Sequence, residues 1–264
     1  EENRGLAAMF TMMNAARLNV GMEGVAVAEA AYQKALAYAR ERKQGGALII
    51  EHPDVRRMLT TMRAKIQAGR AICYACAVAA DAGDKAMEDL LTPLAKAWCT
   101  DLGVEVASLG VQIHGGMGFV EEGGAAQFYR DARIAPIYEG TNGIQAIDLY
   151  GRKLLSDRGE AMRRLIGETR KVAAPYPELE AAAAVLERAT EYMLAAPRED
   201  ALTGATAYLA LAGDVAGAML LARGLTGTPD AEQAALLKFY CASVLTRAEA
   251  RAAEIRIGAS ALCV

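Results

Sequence analysis

Between Asn14 and Lys43 the apolar residues Leu18, Met22, Val25, Ala28, Tyr32, Leu36 and Ala39 recur at steps of three and four. That is the period of one helical face and is incompatible with a strand. The same grammar continues through the chain, Ala and Leu dominate, and no alternating Val/Ile/Thr/Phe run is long enough to specify a strand. The expected fold class is therefore all-α. The turn Gln44-Gly45-Gly46 ends the first helix, whose first half Gly21 and Gly24 should weaken. Pro53 opens a second helix, which buries Val55, Met58, Leu59, Met62, Ile66 and Cys73 and ends at Asp81-Ala82-Gly83. A third is expected from Lys85 through Trp98 to Ile113, stopped by Gly115 and Gly116.

A glycine-rich loop, a short helix at Ala125 to Arg133 and a proline turn at Ala135 to Thr141 follow. Asn142 with Gln145 reads as a capping box for a helix over Gly143 to Leu155. After Asp157 come four Ala- and Leu-rich segments, divided by Pro175/Pro177, Pro197 and Gly227/Pro229. They predict a second bundle with short connections. The boundary falls near Ser156 to Gly159, giving a first domain over 1–156 and a second over 157–264.

Composition removes several functions. With 53% hydrophobic residues in 264 the chain can bury a core, so disorder is excluded as the main state. A net charge of −3 without a basic block argues against a nucleic-acid partner. No run of about 18 purely apolar residues suggests a membrane span. Five cysteines in a chain this long form no disulfide framework, which points to a reducing cytoplasm. The opening Glu1-Glu2-Asn3-Arg4 carries neither Met nor an apolar leader, as expected of a processed chain or a piece of a longer one.

Counting residues dismisses further sites. A di-iron bundle needs two Glu-x-x-His motifs, but His52 and His114 are the only histidines and Ile49 and Val111 precede them. Cys73-x-x-Cys76 sits mid-helix without a second ligand pair, so it reads as core packing. Gly115-Gly116-x-Gly118 follows a helix, where a dinucleotide fingerprint must follow a strand. No Gly-x-Ser-x-Gly elbow supports a serine hydrolase.

What survives is the density from Gln112 to Gln145. The apolar run Ile134-Ala135-Pro136-Ile137-Tyr138 ends abruptly in Glu139-Gly140-Thr141-Asn142. Loss of solvation would raise the Glu139 pKa toward a general-base value, whereas the nearby helix N-terminus would lower it.

Four ordered strings identify a family. Ile137-Tyr138-Glu139-Gly140-Thr141-Asn142-Gly143-Ile144-Gln145 resembles the I-Y-E-G-T-x-x-I-Q segment of acyl-CoA dehydrogenases. Gln112-Ile113-His114-Gly115-Gly116-Met117-Gly118 is similar to their Q-x-x-G-G-x-G flavin segment, and Arg130-Asp131-Ala132 to their R-D-A run. Tyr38-Ala39-x-x-Arg42-x-Gln44, followed by Glu51-His52, resembles Y-A-x-x-R-x-Q-F-G, and Asn14-x-x-Arg17 sits where the family has a polar residue and Arg near CoA.

The resemblance implies the C-terminal helical domain of an FAD enzyme. The extra bundle matches that of the long bacterial branch that includes methylmercaptopropionyl-CoA dehydrogenases. It implies Glu139 as catalytic base. Arg42, Gln44, His52, Gln112, Gly116, Thr141 and Gly143 fall on the FAD side, and Asn14, Arg17 and Gly140 on the acyl-CoA side. A homo-oligomer, dimer or tetramer, and an acceptor such as electron-transfer flavoprotein are implied too.

Arg17 and Arg42 lie 25 residues apart on one helix, about 37 Å at ~1.5 Å per residue, too far to share one small ligand. Gly45 replaces the family's aromatic residue, and Gly151, with Arg152 beside it, replaces an Arg. The family's N-terminal helical and middle β domains have no counterpart here. An oxygen-using acyl-CoA oxidase and a non-catalytic helical assembly module are the alternatives.

Overall fold

A computed structural model describes residue 3 and residues 5–263. It is all-α apart from one two-residue hairpin. Helix α1 spans Gly5–Glu41. It starts well before the expected Asn14, because the Leu-Ala-Ala-Met stretch favours helix without showing a clean period. Strands β1 (Lys43–Gln44) and β2 (Ala47–Leu48) follow, joined through Gly45 and Gly46 at φ of 60° and 85°. Two consecutive positive φ values make the turn that matches strand twist. Helix α2, Pro53–Asp81, begins at its proline as the sequence predicts.

The expected third helix is interrupted. Helix α3 (Lys85–Pro93) gives way to a π-helical segment at Leu94–Trp98, and α4 (Cys99–His114) resumes the α geometry. Pro93 has no N–H for the i→i−4 ladder, and the chain passes it with a wider turn. Short helices α5 (Gly116–Phe119) and α6 (Ala125–Ile134) lead to a loop. Helix α7 (Asn142–Asp148) then runs into a second π-helical segment, Leu149–Leu154.

Gly21 and Gly24 do more than weaken α1. A Cβ on Gly21 would lie 2.3 Å from the Ala95 carbonyl oxygen, and one on Gly24 would lie 2.5 Å from that of Cys99. From the other side, a Cβ on Gly103 would come within 2.9 Å of the Gly24 oxygen. Backbone therefore meets backbone where α1 crosses the π segment and the start of α4, and any side chain there would force the helices apart.

Five helices complete the chain: α8 (Glu160–Ala173), α9 (Pro177–Ala195), α10 (Arg198–Gly227), α11 (Ala231–Ser243) and α12 (Ala248–Ile255). By length and composition α10 could cross a membrane, but 78% of its most apolar window is buried. It is the central helix of the second half, and it also packs on α2 and the π segment. Trp98 Nε1 donates to Asp214 Oδ1 at 2.9 Å, while Arg251 Nε donates to Asp214 Oδ2 at 2.8 Å. Burial pushes the Asp214 carboxyl up, against the pull of Arg251. The apolar core thus runs without a break across residue 156.

The crossing yields a stability prediction. Gly24→Ala should destabilise the fold by about 1–3 kcal/mol through overpacking. Gly167→Ala, in α8 with open space around the new methyl group, should be neutral or stabilising by up to about 1 kcal/mol. Thermal unfolding of both variants checks the contrast, and equal effects would remove the crossing from the account.

Candidate active site

The loop from Ala135 to Thr141 holds its carboxylate in an unusual backbone. Glu139 has φ of 55° and Gly140 of 84°, and a non-glycine residue in the left-handed region requires outside support. Support comes from several sides. Asn142 N donates to the Pro136 carbonyl at 3.0 Å, which closes the loop. The Tyr138 hydroxyl donates to Glu23 on α1. Gln145, wholly buried, directs Nε2 at the Glu139 and Gly140 carbonyls, 3.4 Å from each. Gly140 is required twice over, since a Cβ would be strained at that φ and would lie 3.0 Å from Gln145 Nε2.

The helix cap differs from the expected one. Thr141 caps α7, its Oγ1 accepting from Ile144 N at 3.2 Å. Asn142 is already helical and turns its side chain inward. Its Nδ2 donates to Asp101 Oδ1 at 2.7 Å, and its Oδ1 accepts from Lys96 Nζ at 2.9 Å. Both residue types cap helices well, and buried acceptors on α4 and the π segment decide which one turns inward.

Glu139 is half-buried. Its carboxylate makes no hydrogen bond or ion pair among the described residues. The apolar approach expected to enclose it is open: Ile134 and Ile137 are 52% and 48% exposed, and Ile144 and Ile147 beyond it are also exposed. Of the expected wall only Ala135 is buried, with Pro136 and Tyr138 partly so, while the isoleucines face outward.

Beneath Gly140 lies a buried ion pair. Arg17 Nη1 meets Asp148 Oδ2 at 3.0 Å, with the two side chains 4% and 2% exposed. Asp148 also takes Arg152, four residues on. Arg17 is thus enclosed rather than presented to solvent, with Nη2 directed toward Gly140. Its Nε and the Oε1 of Gln145 are buried without partners. Asn14 lies one turn earlier on α1, half-buried.

The remaining expected residues gather at the far end of α1. Arg42 Nη2 donates to Gln44 Oε1 at 3.2 Å, and His52 Nε2 lies 2.9 Å from the Gln44 carbonyl. Tyr38 stacks on His114 at 4.4 Å between centroids, and His114 Nδ1 bonds the Gly110 carbonyl. Burial holds His114 below its ordinary pKa. Arg42, Gln44, His114 and Gly116 line a cavity of about 440 Å³. Gln112 is exposed on the last turn of α4 beside it. Thr141 and Gly143 border a different cavity, of about 700 Å³, together with Asp101, Arg133 and Ile137.

The expected site is therefore two clusters, one beside the Arg17–Glu23 stretch of α1 and one at its C-terminal end. Sequence reasoning missed Lys96, Asp148, Glu23 and the inward role of Asn142. The available signals were a lysine set in Leu94-Ala95-Lys96-Ala97-Trp98 and an aspartate between Ile147 and Leu149, charges in otherwise apolar strings.

Known proteins match along the chain. A family described as "Acyl-CoA dehydrogenase, C-terminal domain" covers residues 3–154, and "Acetyl-CoA dehydrogenase C-terminal like" covers 159–263. The 3-methylmercaptopropionyl-CoA dehydrogenase of Ruegeria pomeroyi is 49% identical over 232 residues, 81% of this chain and 39% of that protein. A butyryl-CoA dehydrogenase of Syntrophomonas wolfei is 35% identical over 70% of this chain and 34% of its own length. The chain thus spans well under half of these relatives. Among solved structures, the Bacillus anthracis acyl-CoA dehydrogenase complexed with FAD shares the fold at a TM-score of 0.76 and 23% identity. That match covers 96% of this chain and 50% of the other.

Lys96 offers a test of the electrostatics. Burial lowers its ammonium pKa from 10.5 to about 8, with Arg17 lowering it further and Asp101 and Glu139 opposing. Between those values the unfolded chain holds the proton that the folded chain has lost, so stability from this group rises with pH. Relative to Lys96→Met, the parent should gain stability from about pH 8 to about pH 10. Chemical denaturation across that window checks it, and a flat difference would show an unperturbed lysine.

Proposed function

The chain belongs to the acyl-CoA dehydrogenase family, and on that premise we propose that it carries the base of an FAD-dependent α,β-dehydrogenation. An acyl-CoA thioester becomes a trans-2-enoyl-CoA, and Glu139 takes the α proton. The observation that carries this reading is the state of Glu139: a half-buried carboxylate, held in a braced left-handed backbone, with no partner for its oxygens among the described residues. Carboxylates elsewhere in the chain that are unpaired among the described residues, such as Glu51, Glu122 and Glu160, lie on ordinary helical or exposed backbone, whereas Glu139 is held at a φ of 55°. An unpaired one on a fixed loop is ready to accept a proton.

Other residues of this chain position the reacting carbon. Gly140, without a side chain, lets the thioester approach the loop backbone. Exposed Ile137, Ile144 and Ile147 offer an apolar surface beside Glu139. Asn14 and Gly140 flank the CoA side, and Arg17, paired with Asp148, lies beneath Gly140.

The residues fit FAD at the other cluster. The backbone at Gly116 faces open space, so a ligand can approach it closely. Arg42 is exposed at the rim and, among the described residues, bonds only Gln44, leaving guanidinium donors for a phosphate. Gln44, His52 and Gln112 supply further polar groups around it, while Thr141 and Gly143 border the second cavity toward the flavin side. When bound, FAD would supply the acceptor for the hydride leaving the β carbon.

In this reading residues 1–156 carry the chemistry and 157–264 brace them. The protein works as a homo-oligomer, whose neighbouring subunits reconcile two clusters set apart along α1. It hands electrons to an electron-transfer flavoprotein in the cytoplasm. Five free cysteines, four of them buried, support a reducing compartment.

Glu139→Gln in the full-length protein tests the assignment. Glutamine keeps the size and the loop but accepts no proton, so flavin reduction by a good acyl-CoA substrate should slow by at least ~10²–10⁴. Substrate affinity should change little. Stopped-flow absorbance reads the rate, and reduction within tenfold of the parent would remove Glu139 as base.

A further inference from the structure

The side chain of Lys96 is completely buried, on the π-helical segment that follows Pro93. Its Nζ donates to the Ala135 carbonyl at 2.8 Å and to Asn142 Oδ1 at 2.9 Å. Those two residues are the first of the loop and the first of α7, so one ammonium joins both ends of the segment that carries Glu139. Asn142 is fixed in turn by donating from Nδ2 to Asp101 Oδ1, to the Ala97 carbonyl at 3.1 Å and to Thr100 Oγ1 at 3.0 Å. A buried lysine is costly unless its donors are used, and a π turn inside a helix often marks a functional position. Here the wider turn lies directly against the Gly21–Gly24 stretch of α1.

We propose that Lys96 is a positioning residue for the dehydrogenation: with Asn142 it clamps the two ends of the Ala135–Asn142 loop and so fixes where the Glu139 carboxylate stands relative to the bound thioester. The inference rests on Glu139 being the base, but the clamp itself is a statement about the loop. Lys96 touches neither substrate nor flavin in this role. It acts through the loop backbone, which helps Glu139 keep a φ of 55° although its carboxylate accepts no hydrogen bond among the described residues.

The test is a double-mutant cycle in the full-length, FAD-loaded protein with Lys96→Met, Asn142→Ala and the pair. Methionine keeps the length and the packing but donates nothing. Each single variant should slow flavin reduction by an acyl-CoA by about a hundredfold, as displacement of a reacting group by an ångström does. The acyl-CoA dissociation constant should stay within about threefold. The double variant should be no slower than about threefold below the slower single one, because both remove the same clamp.

Hydrogen exchange supplies a readout independent of activity. Amides from Ile137 to Asn142 should lose protection in both single variants, while those of α4 keep the parental pattern. Parental reduction rates, multiplicative effects in the double variant, or unchanged loop protection would each overturn the clamp. Should Lys96→Met fail to fold, Asn142→Ala decides alone, since it breaks the same bond from the loop side. If Glu139→Gln retains activity, the base assignment fails while the exchange result still rules on the clamp.

Discussion

The contact between backbone atoms where Gly21 and Gly24 of α1 meet the carbonyls of Ala95 and Cys99 sets the geometry of everything around it. Because no side chain intervenes, α1 lies unusually close to the π segment. That places Glu23 within reach of Tyr138, and Arg17 within reach of Asp148 and Gly140. The π segment in turn directs Lys96 at both ends of the loop that presents Glu139. The unpaired carboxylate is the outermost member of a series whose innermost member is a pair of glycines.

Much of this was legible in the sequence and some was not, for identifiable reasons. Helix periodicity and proline positions located most of α1 and all of α2, since burial of one face is a local property of the string. The same reading treated Gly21 and Gly24 as weak points, because a helix-propensity scale sees the lost methyl group and not the neighbour that needs its space. The break at Leu94–Trp98 was hidden inside a good apolar period. The cap passed from Asn142 to Thr141 for a tertiary reason: Lys96, Thr100 and Asp101 converge on the Asn142 side chain. At the site, the string around Glu139 singled out a loop that the structure holds in left-handed backbone. The ion pair beneath it joins residues 131 positions apart, which no local pattern reveals.

The second half contributes through packing. Asp214, buried on α10, accepts from Trp98 of the π segment and from Arg251 of α12. Gly213 lies against the Trp98 ring so closely that a Cβ there would stand 2.3 Å from Cδ1. The segment that aims Lys96 is therefore held from two sides, by glycines of α1 and by a glycine and a carboxylate of α10. The second half thus limits how far the π turn can relax.

In the proposed function the braced loop removes a proton from the carbon beside the thioester. The most direct measurement is anaerobic flavin reduction in the full-length protein by an acyl-CoA carrying deuterium at both α positions, against the unlabelled thioester. Proton removal in the rate-limiting step predicts a primary isotope effect that slows the bleaching of the flavin. Equal rates for the two substrates, with chemistry shown to be slower than binding, would contradict it.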